Sequence, residues 1–276
     1  MLNATNIHIQ LNRKPIVLGL DFHAHPGQLT AIVGPNGSGK TTLLRALTGE
    51  IDYQGSVELD GADIRQLKPW QLASRRAVLP QATHLAFPFT VLEVVRLGLS
   101  NQRDLAGRET LAEQALARVG LSGFEGRLFQ ELSGGEQQRA QLARVLVQVW
   151  HPVQDGHPCW LFLDEPVSSL DIGHQLEVMR LAREFAAAGG GVIAVMHDLN
   201  LTAIFADSVA LLNQGRLIRQ DRPELVLNDQ DLSVAYDCPL KVNTSPSSAH
   251  TYLLPHASVH PSEWMKTAES SDTDAG

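Results

Sequence analysis

The sequence has only two cysteines, and neither lies in a pattern that would bridge or bind zinc. Cys159 abuts the apolar run Trp160-Leu161-Phe162-Leu163, and Cys238 lies in a polar segment near the end. That excludes a disulfide framework and a zinc ribbon, and a reducing compartment is the simpler reading. Long apolar runs are missing as well. No stretch approaches the roughly 18 consecutive apolar residues of a membrane-spanning helix, and Met1 to Pro15 show no basic start leading into an apolar segment. The expectation is a cytosolic chain that touches a membrane only through a partner. A basic excess is absent too: 22 Lys plus Arg stand against 30 Asp plus Glu, so the chain as a whole repels a phosphate backbone and no nucleic-acid role is expected. There is no internal repeat. What remains is a chain of 276 residues, 43% of them hydrophobic, enough to bury one large α/β core.

Strands alternate with helices along most of the chain. Residues 29–34 read as a buried strand running into a glycine-rich turn, and Thr41 to Leu47 as a helix closed by Gly49. Residues 56–60 read as an edge strand, Gln66 to Arg76 as a helix and Ala77 to Pro80 as a strand. From Ala82 to about Trp150 the pattern turns helical, with a longer helix starting after Gly135. Strand and helix alternation returns with Trp160 to Leu163, Ile172 to Ala188, Val192 to Met196, and the strands Ser208 to Asn213 and Arg216 to Gln220. This order predicts an α/β fold, a mostly parallel sheet with a helical subdomain inserted at about residues 82–150. Residues 241–256 could form a small terminal hairpin, and 257–276, rich in Ser, Thr, Asp and Glu, read as a solvated tail. His250, His256 and His260, scattered through this polar terminus, read as solvated side chains.

Three clusters carry chemistry. Gly34-Pro35-Asn36-Gly37-Ser38-Gly39-Lys40-Thr41 stands between a buried strand and a helix, where a phosphate-binding loop has to be. Its glycines let successive N–H groups face the phosphates, Lys40 adds a cation, and the Thr41 hydroxyl can ligate Mg²⁺. Asp164 and Glu165 close the apolar strand Trp160 to Leu163. In an open parallel sheet that end faces the ligand, so Asp164 is expected to hold Mg²⁺ and Glu165 to orient the attacking water. The third cluster, Ser133-Gly134-Gly135-Glu136, opens a helix. Ser133 and Glu136 have capping-box spacing, which any helix start could use. A cap needs no two glycines, however, and small residues at a helix start make a second anion cradle, here without a lysine or metal ligand of its own. A chain with one full phosphate site and one half site suggests a head-to-tail dimer sharing two nucleotides.

The phosphate loop, Leu132-Ser133-Gly134-Gly135-Glu136-Gln137-Gln138-Arg139 and Leu163-Asp164-Glu165-Pro166, in that order, resemble the nucleotide-binding domain of ABC ATPases, a P-loop NTPase fold, over about residues 1–235. The domain is placed at 1–240. The resemblance implies Mg²⁺ and ATP, with Thr42 joining the phosphate loop, Gln81 sensing the metal and the permease, Asp171 in a loop across the dimer interface, and His197 contacting the γ-phosphate. It also implies an aromatic platform for adenine about where this chain has Leu11, near His8, neither of which supplies one. Val167 stands where a threonine is commoner.

A single ATPase domain, without zinc cysteines and with an acidic balance, disfavours the translation and DNA-repair branches of the family, and the signature disfavours other phosphate-loop enzymes. Leu85 to Val91, Val147 to Pro152, Trp160 to Pro166, His197 to Leu201 and the Thr251 to Pro255 region resemble the ATPases of bacterial haemin importers, with those of ferric-siderophore and cobalamin importers as the alternative. Such systems imply a homodimer at the cytoplasmic face of the inner membrane, two permease copies and, indirectly, a periplasmic or surface haem-binding protein.

Overall fold

The computed structural model describes residues 1–81, 87–101, 106–245, 251 and 253. The terminal hairpin expected over 241–256 falls mostly, and the tail 257–276 wholly, outside the described residues.

The chain opens with an antiparallel pair, β1 (Leu2–Leu11) and β2 (Lys14–Ala24), turned at Asn12 and Arg13, both with positive φ. The inward faces of β1 and β2 carry Leu2, Ala4, Ile7, Ile9, Val17, Leu20 and Phe22, all buried. The buried strand β3 (Leu29–Val33) follows and leads through the glycine-rich loop into α1 (Lys40–Leu47). β4 (Gln54–Leu59) and β5 (Ala62–Asp63) complete a four-stranded sheet of order β2-β1-β4-β5. The short helix α2 (Pro69–Arg75) starts on proline and runs directly into β6 (Arg76–Leu79).

Helices then take over, as the sequence pattern predicts: α3 (Val91–Arg96), α4 (Ala106–Arg118) and α5 (Gly134–Gln148). Thr90 caps α3 in a reciprocal capping box with Glu93, a device that stabilises a helix start by about 1 kcal/mol. A small hairpin, β7 (Val153–Gln154) and β8 (His157–Pro158), precedes β9 (Trp160–Asp164). Then come α6 (Ile172–Ala187), β10 (Gly191–Val195), α7 (Leu199–Phe205), β11 (Ser208–Asn213) and β12 (Arg216–Asp221). The short helices α8 (Pro223–Val226) and α9 (Asp229–Tyr236) close the fold.

The central sheet has six strands in the order β12-β11-β3-β10-β9-β6, parallel except for the edge strand β12. Every residue of β3, β9 and β10 is buried, which is why these strands read as continuous apolar runs. Alternate side chains go to opposite faces. Leu161 and Leu163 join the core beneath α3, α5 and α6, while Trp160 and Phe162 join the one shared with α1 and the antiparallel sheet. No helix among the described residues is long and apolar enough to cross a membrane.

Candidate functional site

The parallel register brings four loops to one edge of the sheet. Leu79 pairs with Leu163, Asp164 with Val195, and Val195 with Ile32, so β6, β9, β10 and β3 end side by side. At or just beyond those ends are Gln81, Asp164 with Glu165, His197 and the phosphate loop. The sequence placed its candidate residues at strand ends, and the strand order makes those ends neighbours.

The loop is held tightly at its start. Gly34 has φ +146°, and a Cβ added there would lie 2.0 Å from the Leu212 carbonyl oxygen, so only glycine lets β3 leave the sheet beside β11. Pro35 is half-buried, Asn36 and Gly37 are exposed at the tip, and Ser38 and Gly39 are buried beneath them. Lys40 is buried, its ammonium donating to the carbonyls of Gly34 at 2.8 Å and Pro35 at 3.0 Å. The Ser38 hydroxyl oxygen is buried in the same loop without a hydrogen-bond partner among the described residues. Gly34→Ala should therefore cost about 1–3 kcal/mol of stability and weaken nucleotide binding at least tenfold. Urea unfolding and nucleotide titration of the same variant would check both.

Thr41 and Asp164 meet at the centre: the threonine hydroxyl donates to Asp164 Oδ1 at 3.0 Å. Burial pushes the Asp164 carboxyl above its ordinary range, opposed by the Thr41 hydrogen bond and raised further by the Glu165 charge. Burial likewise lowers the Lys40 ammonium, opposed by the charges of Glu165 and Asp164. Buried charge of both signs, with hard oxygen donors side by side, is what a phosphate-bound divalent cation would relieve. Thr41, Asp164 and Gln81 line one cavity of ≈ 320 Å³, and Thr42 is half-buried beside them on α1.

Glu165 follows Asp164 with φ +52°, a left-handed conformation that turns its side chain off the strand axis. Its carboxylate accepts a 2.6 Å hydrogen bond from His197 Nε2, and its backbone N–H donates to the Val195 carbonyl at 3.2 Å. The base candidate and the histidine candidate, far apart in sequence, are thus one hydrogen-bonded pair on adjacent strands.

The other candidates cap helices of their own chain. Ser133 accepts from the Glu136 N–H at 3.3 Å, and Glu136 accepts from the Ser133 N–H at 2.7 Å, a reciprocal capping box at the start of α5. The helix begins at Gly134, two residues earlier than expected. Ser133 and Gly134 are exposed, and a Cβ at Gly134 would meet nothing within 4 Å, whereas at Gly135 it would come 3.1 Å from the Ser169 carbonyl oxygen. Asp171 caps α6, and hydrogen bonds from the backbone and ring of His174 hold its carboxyl below the ordinary range.

Sequence reasoning passed over Gln138. Its amide donates to the Glu165 carbonyl at 2.8 Å and accepts from the Ser169 N–H at 3.3 Å. It sits inside the signature itself, so the motif marked it, but nothing in one dimension shows which residues of the motif face the loop that carries Glu165. At the expected adenine position His8 is tied to Asn6 at 3.0 Å and Leu11 is partly exposed, so the departure from the family pattern persists.

A family model described as ABC transporter matches residues 17–168, more than half of the chain. The chain is 68% identical over 256 residues to the hemin import ATP-binding protein HmuV of Jannaschia sp. (strain CCS1), covering 93% of this chain and 94% of that protein. It is 57% identical to the protein of the same name from Roseobacter denitrificans, covering 93% and 98%. Among solved structures, a bacterial Atm1-family ABC exporter with ATP bound superposes with a TM-score of 0.69, at 28% identity over 82% of this chain and 39% of that one. A dimeric bacterial ABC transporter cassette has the same fold, with a TM-score of 0.70 at 24% identity over 81% of this chain and 99% of that one. With the sheet order, the phosphate loop and the paired acidic residues in place, this chain belongs to the ABC transporter family and is one of its ATP-binding subunits.

Proposed function

We propose that this chain hydrolyses Mg-ATP at the interface of a head-to-tail homodimer and so drives a membrane permease that imports haem. The observation that carries the hydrolytic part is the Glu165 carboxylate, held by His197 beside the Thr41–Asp164 pair and Lys40. Lys40 and the backbone of Gly34 to Thr42 bind the phosphates, with the Ser38 hydroxyl as an additional donor. Thr41, Asp164 and Gln81 would hold Mg²⁺, which would supply neutralisation of the phosphate charge. Glu165 orients and polarises the attacking water, and His197 fixes that carboxylate and contacts the γ-phosphate. Ser133, Gly134, Gly135, Glu136 and Asp171 complete the site of the second copy, a reading supported by the exposure of Ser133, Gly134 and Asp171.

The permease reading is supported by exposed residues that follow Gln81 in the sequence and by the cavity that Gln81 lines. Phe87 is 68% exposed, and Pro88 next to it is exposed too. The cavity that holds Gln81 meets, at Val78, a second one of ≈ 390 Å³ walled by Arg76 and Arg144. Both arginines have a buried Nε without a hydrogen-bond partner, and burial lowers both guanidinium pKa values. An exposed aromatic, and a separate groove with unsatisfied cationic donors, would suit a docking partner of mixed apolar and acidic character. Phe87→Asp should leave basal hydrolysis unchanged, while stimulation by the permease and transport fall together, by roughly tenfold or more if Phe87 is a central anchor.

Haem as the cargo rests on the likeness to HmuV proteins along nearly the whole length. On this reading the chain is peripheral to the cytoplasmic face of the inner membrane, under two permease copies fed by an external haem-binding protein. Reconstitution with the permease and binding protein encoded beside it, comparing haem, cobalamin and a ferric siderophore, tests the cargo. Transport of either alternative without haem would overturn the haem assignment and leave the motor reading standing.

A further inference from the structure

We propose that Gln138 is a positioning residue for hydrolysis. Its amide straps the start of α5 to the loop that carries Glu165, so the water-polarising carboxylate moves with the helix whose tip faces the second copy's nucleotide. The proposal rests on the assignment of Glu165 above.

Both ends of the Gln138 amide are used on backbone. Nε2 donates to the Glu165 carbonyl at 2.8 Å, and Oε1 accepts from the Ser169 N–H at 3.3 Å. One side chain thus spans the turn from Glu165 to Ser169. The turn needs holding, because Glu165 is a non-glycine residue at φ +52°, a conformation that persists only where neighbours over-determine it. On one side the Glu165 N–H is fixed to β10 through the Val195 carbonyl at 3.2 Å. On the other, its carbonyl accepts from Gln138 and, at 3.2 Å, from the Ser168 hydroxyl within the same turn. Gln138 is the tether from outside the turn. It is half-buried, where an amide bond is screened less than at the surface.

The two segments also touch without it. The Gly135 Cα approaches Ser169 and Leu170 so closely that an added Cβ would sit 3.1 Å and 3.3 Å from their atoms. Sliding of α5 relative to the turn is therefore resisted by contact at Gly135 and by hydrogen bonds at Gln138, one helical turn further on. Contact alone fixes distance, while the amide fixes the direction of the Glu165 peptide and hence where its carboxylate points. A misplacement of about 1 Å at a reacting group can cost on the order of 10²-fold in rate, so a strap that sets this angle has a large lever.

The test is a double-mutant cycle on the full-length dimer. Gln138→Leu keeps helix propensity and removes both bonds, and Gln138→Glu keeps the acceptor for Ser169 but sets an oxygen against the Glu165 carbonyl. Each should lower kcat by about tenfold or more while KM for ATP and nucleotide affinity stay within about twofold, with the melting temperature little changed. In the Glu165→Gln background, followed by single-turnover hydrolysis, Gln138→Leu should add no further slowing, because both changes act on one carboxylate. An unchanged kcat, a loss of nucleotide affinity matching the loss of rate, or the same slowing in both backgrounds would overturn the strap. Failure of the Glu165 assignment reads out separately, as near-normal hydrolysis by Glu165→Gln alone.

Discussion

Glu165→Gln should slow ATP hydrolysis by roughly 10²–10⁴-fold and leave ATP affinity nearly intact, the range expected when a positioned general base is removed. The affinity is expected to survive because the phosphate cradle shares no atoms with the substituted group. Lys40 is anchored to Gly34 and Pro35, and Thr41 to Asp164, in bonds that do not involve the Glu165 side chain. The substitution is also nearly isosteric. The backbone that aims position 165 stays tied to Val195 and Gln138, and the amide oxygen can still accept from His197 Nε2. What disappears is a carboxylate able to take up proton density from water in the transition state. Asp164 is a poor substitute, being buried and engaged by Thr41. Nucleotide titration and single-turnover hydrolysis on the same preparation separate the two quantities. Near-normal hydrolysis would remove Glu165 from the role of base, whereas lost affinity would place it in the cradle instead.

The parts of the fold legible in the sequence are those buried on both faces or punctuated by glycine. β3, β9 and β10 are apolar at every position because helices or strands cover both sides, and the phosphate loop announces itself between β3 and α1. The antiparallel pair β1–β2 was not legible. Its inward face follows a period of two only in part, since the register shifts between Ala4 and Ile7 and again between Ile9 and Gln10. A bulge moves side chains to the opposite face and erases the alternation a reader counts. The positive-φ pair Asn12-Arg13 was the available hairpin signal, weakened by the arginine. α8 and α9 went unread for a different reason. They span four and eight residues, too short for periodicity, although Pro223 and Asn228 mark their starts. In the site, the strand ends were legible but the pairing of Glu165 with His197 was not, because it depends on β9 and β10 being neighbours. The capping-box spacing of Ser133 and Glu136 was legible, whereas the cap that Asp171 makes on α6 was not read.

Those caps sharpen the question of what Ser133 does, and mixing two inactive proteins should answer it. Ser133→Arg chains and Lys40→Ala chains should each hydrolyse almost nothing alone, because every site in either homodimer carries a defect. If Ser133 serves the nucleotide on the second copy, a mixed dimer has one site with both defects and one with neither. Random exchange of subunits makes roughly half of the dimers mixed, so activity should reappear on mixing. If Ser133 serves only its own chain, as helix cap, both sites of the mixed dimer keep one defect each and mixing restores nothing. Arginine at the exposed Ser133 blocks the tip by bulk and removes the hydroxyl acceptor, yet it touches no core residue. Loss of an N-cap costs about 1 kcal/mol, too little to unfold a domain with two extensive cores, so an unfolded variant would not mimic the result. A covalently linked dimer carrying one intact and one doubly defective site sets the activity that a single good site can deliver. Recovery on mixing toward that level, scaled by the fraction of mixed dimers, is the expected outcome. No recovery, with the linked dimer active and subunit exchange shown by mixed tags, would confine Ser133 to its cap and remove the shared site.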